Sequence, residues 1–442
     1  MKIGIEAQRI FRANKHGMDY VVLQEILQLQ QIDHENEYFV FVKPGPDRCV
    51  KESANVHIIE LNTPSYPLWE QWALPRAAKK AGVQLLHCTS NTAPIHCNIP
   101  LVLTLHDIIF LEPRDKANKS LYQNMGWLYR RLVVPRILPR CRRIITVSQF
   151  ELRNIVGKLH IPEERMAMIY NGYNEWFRVL NDTHDVYKKY IPQKGYIFFL
   201  GNTDPKKNTE RTLIAYARYL ERSAVKRPLL MADLDRHYLD SIISRNHIGH
   251  IRQHLHMPGY IPNSDLPGIY NDAFCFLYTS LRESFGIPLL EGMACGTPVI
   301  TSNTSSMPEI GGPDAILVNP EQADEIADML IRLETDPDFY QQKREVGLQR
   351  ARLFSWQRTA EQLLSLYQKI FRNLTTNNMY SHYLRKIFED FLSLTEPSDL
   401  LVVLANHIVH SIGSIVIQVD VARSLGLKRS GTHDVGHINS RS

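Results

Sequence analysis

Short apolar runs and longer amphipathic stretches alternate from the first residue to about residue 373. In the first half, Lys2–Ala7, Tyr38–Val42, Val56–Leu61, Leu85–Cys88, Leu101–His106 and Arg143–Val147 read as strands. Most are rich in Val and Ile, and several are apolar throughout, as strands buried on both faces are. Stretches of helical period lie between them, among them Met18–Gln31 and Trp69–Ala81. Strand–helix alternation predicts a parallel sheet with helices on both faces. The pattern then restarts. Tyr196–Gly201, Leu229–Ala232, Ile251–Met257, Phe274–Tyr278, Pro298–Thr301 and Ile316–Val318 form a second set, separated by helices such as Glu210–Arg222 and Gln322–Leu333.

Asn171-Gly172-Tyr173 and the polar stretch to Lys194 mark the junction between the sets. The expected fold class is α/β, with two facing Rossmann-like β/α/β domains and a cleft between them. They span residues 1–177 and 178–373, followed by a C-terminal extension, 374–442. Ligands of such sheets sit at the carboxyl ends of the strands. Trp356–Arg372 reads as an amphipathic helix closing the second unit, and Ser381–Leu394 is helix-like. Leu400–Val419 is apolar but carries Asn406, His407, His410, Ser411, Ser414 and Gln418. A spanning helix needs about 20 predominantly apolar residues, so a docked element is the better reading.

Composition narrows this picture. At about 150 residues per domain, 442 residues imply two or three domains. A 44% hydrophobic, 22% charged chain is neither disordered nor collagen-like. A net charge of +5 is mild for the length and does not ask for nucleic acid. Six cysteines without a CxxC rule against a disulfide scaffold, zinc ribbon or redox dithiol. The opening Met1–Glu6 has no apolar signal core, so a reducing cytoplasm is expected.

The candidate chemistry concentrates in Arg282-Glu283-Ser284-Phe285-Gly286-Ile287-Pro288-Leu289-Leu290-Glu291, which follows a strand. Gly286 permits close backbone approach and Pro288 suits a first helical turn. A helix starting here aims free amides at the cleft, a natural diphosphate site. Glu291, one turn in, suits a ribose diol; Glu283, on the preceding loop, suits hydroxyls of a second ring. On spacing alone, a helix amino end with favourably placed glutamates explains the segment equally well. Lys206 and Lys207 lie in the turn after Gly201, where a cation offsets pyrophosphate charge. Tyr122–Arg143 holds Arg130, Arg131, Arg136, Arg140, Arg142 and Arg143 and no acid. It suits an anionic lipid surface or a phosphorylated acceptor, or is a solvated helix face.

The Glu283–Glu291 segment resembles the Glu-x7-Glu signature of the retaining glycosyltransferase family 4 (group 1), which has the GT-B fold. The resemblance extends in order through Leu105-His106-Asp107, Ile145–Ser148, Ile169–Gly172, Gly201–Asn208, Gly259-Tyr260-Ile261-Pro262 and Gly296–Ser302 with Met307-Pro308-Glu309. It covers residues 1 to about 373. It implies a hexosyltransferase moving mannose or a glucose-type sugar from a GDP- or UDP-linked donor to a glycan or lipid-linked acceptor, in cell-surface polysaccharide biosynthesis. The implied catalytic residues are His106, Lys207 and Glu283. The implied donor contacts are Gly17, Gly201, Asn202, Lys206, Tyr260, Ile261, Ser284, Phe285, Gly286, Ile287 and Glu291. Asn202 stands where many relatives carry Arg, and Gly17 is the remainder of a glycine pair. No metal or other cofactor is expected. A cytoplasmic enzyme is implied, with peripheral membrane contact through Arg130, Arg131, Arg136 and Arg140. The alternatives are a nucleotide-sugar epimerase and a non-catalytic partner subunit.

Overall fold

The structure, a computed structural model, describes residues 1–112 and 121–392. Among them the first sheet comprises β1 (Lys2–Glu6), β2 (Glu37–Val42), β3 (Val56–Glu60), β4 (Leu85–Cys88), β5 (Leu101–Thr104), β6 (Cys141–Thr146) and β7 (Met166–Met168). Their order is β3-β2-β1-β4-β5-β6-β7. The second sheet comprises β8 (Tyr196–Leu200), β9 (Leu229–Ala232), β10 (Leu255–Gly259), β11 (Ala273–Tyr278), β12 (Val299–Ser302) and β13 (Ile316–Val318), in the order β10-β9-β8-β11-β12-β13. Every pairing is parallel. β4, β5, β9, β11 and β12 are buried at every residue, which accounts for their predominantly apolar sequence; His87, Thr104, Thr301 and Ser302 are the buried polar exceptions. Strand order reverses between β1 and β4 and between β8 and β11, so each sheet has a switch point at its carboxyl edge.

The architecture is the expected pair of doubly wound sheets, and three elements depart from the expectation. β7 was not foreseen: Met166-Ala167-Met168 is too short for a period and has no β-branched residue. β10 begins at Leu255 because Gly249–His254 is wound into 3-10 turns. The helix from Trp356 does not simply close the second unit. Thr359 Oγ1 donates to Tyr170 O at 2.8 Å, and Tyr367 OH lies 2.7 Å from His87 Nδ1 on β4. His87 and Tyr367 are both fully buried, and the hydroxyl gives the ring nitrogen the polar partner it needs there. Gly172 makes room for this return: a Cβ would lie 2.2 Å from Trp356 N.

Both sheets belong to one compact unit, Met1–Tyr367. The helix continues to Leu392, through the 373/374 boundary and through the break expected before Ser381. Leu400–Val419 and the end of Ser381–Leu394 lie outside the described residues. No helix among the described residues is long and apolar enough to cross a membrane.

Candidate active site

The loop after β8 and the loop after β11 are stitched together at the second switch point. Pro205–Lys207 is a 3-10 turn whose first amide, at Lys206, is capped by Asp204 Oδ1 at 3.2 Å. Leu281 N donates to Lys206 O at 2.7 Å, and Asn208 Nδ2 donates to Thr279 O at 3.0 Å. These bonds bring Lys207 Nζ to 2.6 Å from Glu283 Oε1. The two residues expected to handle phosphate and sugar therefore form one ion pair. Both are partly shielded, with side-chain exposures of 27% and 13%.

Gly286 turns the chain from this loop into the helix Ile287–Ala294 with φ +101°. This left-handed conformation selects glycine, while the nearest atom to an added Cβ, Met307 Cε at 2.5 Å, is the end of a flexible side chain that can shift. Pro288 occupies the first turn as expected. Glu291 follows one turn in. Burial pushes its carboxyl up to about 8, opposed by a 3.5 Å hydrogen bond from Tyr270 OH.

The remaining donor-side residues divide. Tyr260, just beyond β10, is 69% exposed and offers a free ring face. Ile261 and Phe285 are turned into the core of the second domain, so only their backbones are available. Gly201 is explained by packing, since a Cβ would lie 2.9 Å from Leu234 Cβ. Asn202 Oδ1 accepts from Asp204 N at 2.8 Å and so closes its own loop. Lys206 Nζ lies 3.7 Å from Asp204 Oδ2. The Ser284 carbonyl accepts from Ser148 Oγ of the first domain at 2.7 Å.

On the first domain, His106 lies two residues beyond β5. Its amide donates to Asn91 Oδ1 at 2.6 Å, and its ring Nε2 is 2.9 Å from Thr89 O. Burial pulls the imidazole pKa down. A neutral ring that donates from Nε2 to that carbonyl keeps Nδ1 as an acceptor. Asp107 caps the following turn by accepting from Ile109 N. Gly17 opens the helix Gly17–Ile32, with nothing within 4 Å of where a Cβ would stand. Tyr20 on this helix accepts from Asn263 Nδ2 at 2.8 Å, which joins it to the loop carrying Tyr260.

Sequence reasoning passed over Arg9 and Arg12, which pair with the buried Asp19 at 3.0 and 2.5 Å beside Gly17. Two arginines between a strand end and a helix start were the available signal. Of the basic run, Arg131 and Arg136 are exposed on the helix Leu121–Ile137 and its outward face. They share that face with Met125, Leu128 and Leu132, which are 63%, 52% and 49% exposed. Among the described residues no group of three His, Cys, Asp or Glu side chains is placed to hold a metal ion.

Two family models cover most of this unit. Residues 16–176 match Glycosyltransferase Family 4, and residues 185–350 match Glycosyl transferases group 1. The chain belongs to the family 4, group 1 glycosyltransferases. Among its relatives, O-antigen chain mannosyltransferase B of Escherichia coli is 28% identical over 60% of this chain and 70% of that protein. The serotype-specific mannosyltransferase WbdA of Escherichia coli is 26% identical over 65% of this chain, an alignment that spans only 36% of WbdA. Solved structures share the GT-B fold. Sucrose-phosphate synthase of Thermosynechococcus elongatus superposes with a TM-score of 0.66 at 20% identity, over 84% of this chain and 99% of that one. Anabaena Alr3699/HepE, solved in complex with UDP and glucose, gives 0.63 at 15% identity, over 83% and 99%. Glu283 and Glu291, the pair expected from the resemblance, both lie within the matched segment 185–350, and Lys207 stands against the first of them.

Proposed function

We propose that this glycosyltransferase moves mannose, with retention, from a nucleotide-diphospho-sugar to a glycan or lipid-linked acceptor in cell-surface polysaccharide assembly. The observation that carries the reading is the Lys207–Glu283 pair at the second switch point, directly before the amino end of the helix that bears Glu291. Tyr260 offers a platform for the base, and Glu291 an acceptor for the ribose hydroxyls. Lys207 and the amides at Phe285–Ile287 meet the diphosphate. Glu283 orients the sugar, and His106 faces it from the acceptor side.

Transfer on one face of the sugar breaks the bond from C1 to the phosphate oxygen as the bond from C1 to the acceptor oxygen forms. The acceptor's hydroxyl proton passes to the leaving phosphate. The protein's main task is then to stabilise charge growing on that phosphate, which falls to Lys207 and the helix amides. With this cation in place, transfer is expected without a divalent metal. Mannosyltransferase relatives favour a mannose donor. The exposed apolar and basic face of Leu121–Ile137 supports peripheral contact with an anionic membrane, where a lipid-linked acceptor resides.

The test is direct. The purified chain is screened by thermal shift against GDP-mannose, UDP-glucose, UDP-galactose and UDP-N-acetylglucosamine, and stabilising donors are assayed for transfer with product anomer determined. Stabilisation and an α-mannosyl product from GDP-mannose are expected. Inverted product, or epimerised donor in place of transfer, overturns the reading.

A further inference from the structure

The loop that carries Glu283 is held from both domains at once. Within the second domain, Glu283 N donates to Ser305 Oγ at 3.2 Å, and Ser306 Oγ lies 3.0 Å from both Glu283 O and Phe285 O, which share its single proton. The residues on either side of Glu283 are bonded to the first domain. Ser284 O accepts from Ser148 Oγ, and Arg282 Nη1 is ion-paired to Glu151 Oε1. Arg282 also donates to Glu283 O at 3.3 Å and lies 4.7 Å over the Phe150 ring. Its Nε stands 3.6 Å from Glu112 Oε1, a third first-domain contact.

The geometry at Glu151 is specific. Ser148 caps the helix Gln149–Leu159 by accepting from Glu151 N, so Glu151 occupies the third helical position. A glutamate there ordinarily folds back onto its own cap. This one instead reaches into the second domain and is fully buried there. The two amides at the helix start are taken by the second domain as well: Glu309 accepts from Gln149 N at 2.7 Å and Phe150 N at 3.0 Å. A buried ion pair fixes geometry more than it adds stability, because desolvation offsets much of the attraction. Such a pair, one residue from a sugar-orienting carboxylate, is suited to setting where that carboxylate stands.

We infer that Arg282 and Glu151 are positioning residues, which tie the placement of Glu283 to the seating of the first domain on the second. The inference rests on the sugar-orienting role proposed for Glu283. Neither residue touches the donor. Arg282 acts through the backbone of Glu283, and Glu151 acts through Arg282.

The experiment uses the full chain with Glu151→Gln, Arg282→Lys, Arg282→Gln and the double variant Glu151→Gln/Arg282→Gln, which leaves no unpaired charge. Hydrogen exchange is measured without ligand. Kd for GDP and kcat with GDP-mannose are measured on the same samples. Glu151→Gln, a change confined to the first domain, is expected to speed exchange at amides 283–286 at least tenfold. The expected kinetic signature is a kcat at least tenfold lower with Kd for GDP within threefold, and with Arg282→Lys closer to the parent than Arg282→Gln. Unchanged exchange at 283–286 in both Glu151→Gln and the double variant overturns the inference. So does a kcat within twofold of the parent, or a loss of kcat matched by an equal loss of GDP affinity. A parent inactive with every nucleotide sugar defeats the functional reading instead, and the exchange result still decides the coupling.

Discussion

Lys207 Nζ and Glu283 Oε1 are 2.6 Å apart, so the cation that would meet a diphosphate is already engaged by the carboxylate that would meet the sugar. An incoming nucleotide has to share or displace that contact. Glu283→Gln frees the ammonium at little change in shape. Nucleoside diphosphate affinity is expected to rise about threefold to tenfold, while transfer falls by about two orders of magnitude. Calorimetry with GDP and UDP, paired with a transfer assay, measures both directions. A variant that binds more weakly would show that the pair organises the empty site for phosphate rather than competing with it.

Lys207→Ala removes the cation itself. Loss of one donor to developing charge typically costs about a hundredfold to a thousandfold in turnover, and a fall in that range is expected. Lys206→Ala is expected to fall less than fivefold, because Lys206 lies against Asp204. Equal losses in both variants would move the phosphate contact onto the whole turn.

Glu291 sets a pH dependence. Its carboxyl is pushed up to about 8 by burial, so the empty site holds it largely protonated at neutral pH. Ribose hydroxyls donate best to the ionised form, so binding favours loss of this proton. Nucleotide affinity is expected to climb with pH, by at most tenfold per unit, and to level off above about 8. Glu291→Gln is expected to flatten the profile and cut turnover by about two orders of magnitude. Titrations with GDP between pH 6 and 9 make the comparison, and a slope retained in the variant would assign the proton elsewhere.

Stability carries a similar signature from Glu25. Burial raises this carboxyl from 4.5 to about 8. The folded chain therefore binds more protons than the unfolded chain between those values. The contribution is fully present below about 4.5 and is lost as pH rises through about 8. Melting temperature is expected to decline over that range, and less steeply in Glu25→Gln.

The outward face of Leu121–Ile137 predicts binding to anionic vesicles. Basic residues near such a surface contribute about 1 kcal/mol each. Arg131→Glu/Arg136→Glu is expected to abolish flotation with phosphatidylglycerol vesicles, and Met125→Asn/Leu128→Asn/Leu132→Asn to weaken it. Flotation untouched by either set would leave this face a solvated one.

Much of this was legible in the sequence because buried parallel strands leave predominantly apolar runs, and β4, β9 and β13 were bounded to the residue. Gly286 was readable because a positive φ at the turn into a helix restricts residue choice, whereas Glu283 and Glu291 were singled out by the family resemblance and not by spacing. The Lys207–Glu283 pairing was not, since it depends on β8 and β11 being neighbours, which no local pattern states. Ile261 shows the converse: it lies in the expected segment, yet its side chain is in the core. β7 escaped because three residues carry no period. The path of the last helix escaped because an amphipathic stripe says that a face is buried but not against which domain.

The meeting of His87 and Tyr367 bears on synthesis. These partners are 280 residues apart, so the first sheet leaves the ribosome with a buried imidazole lacking one hydrogen-bond partner. It stays so until nearly the whole second domain has been made. Domains usually complete in the order they are translated. Here the amino-terminal one is finished last, and a fragment ending at residue 177 is expected to be isolated only as a loosened form that gains order when a peptide spanning 356–372 is supplied.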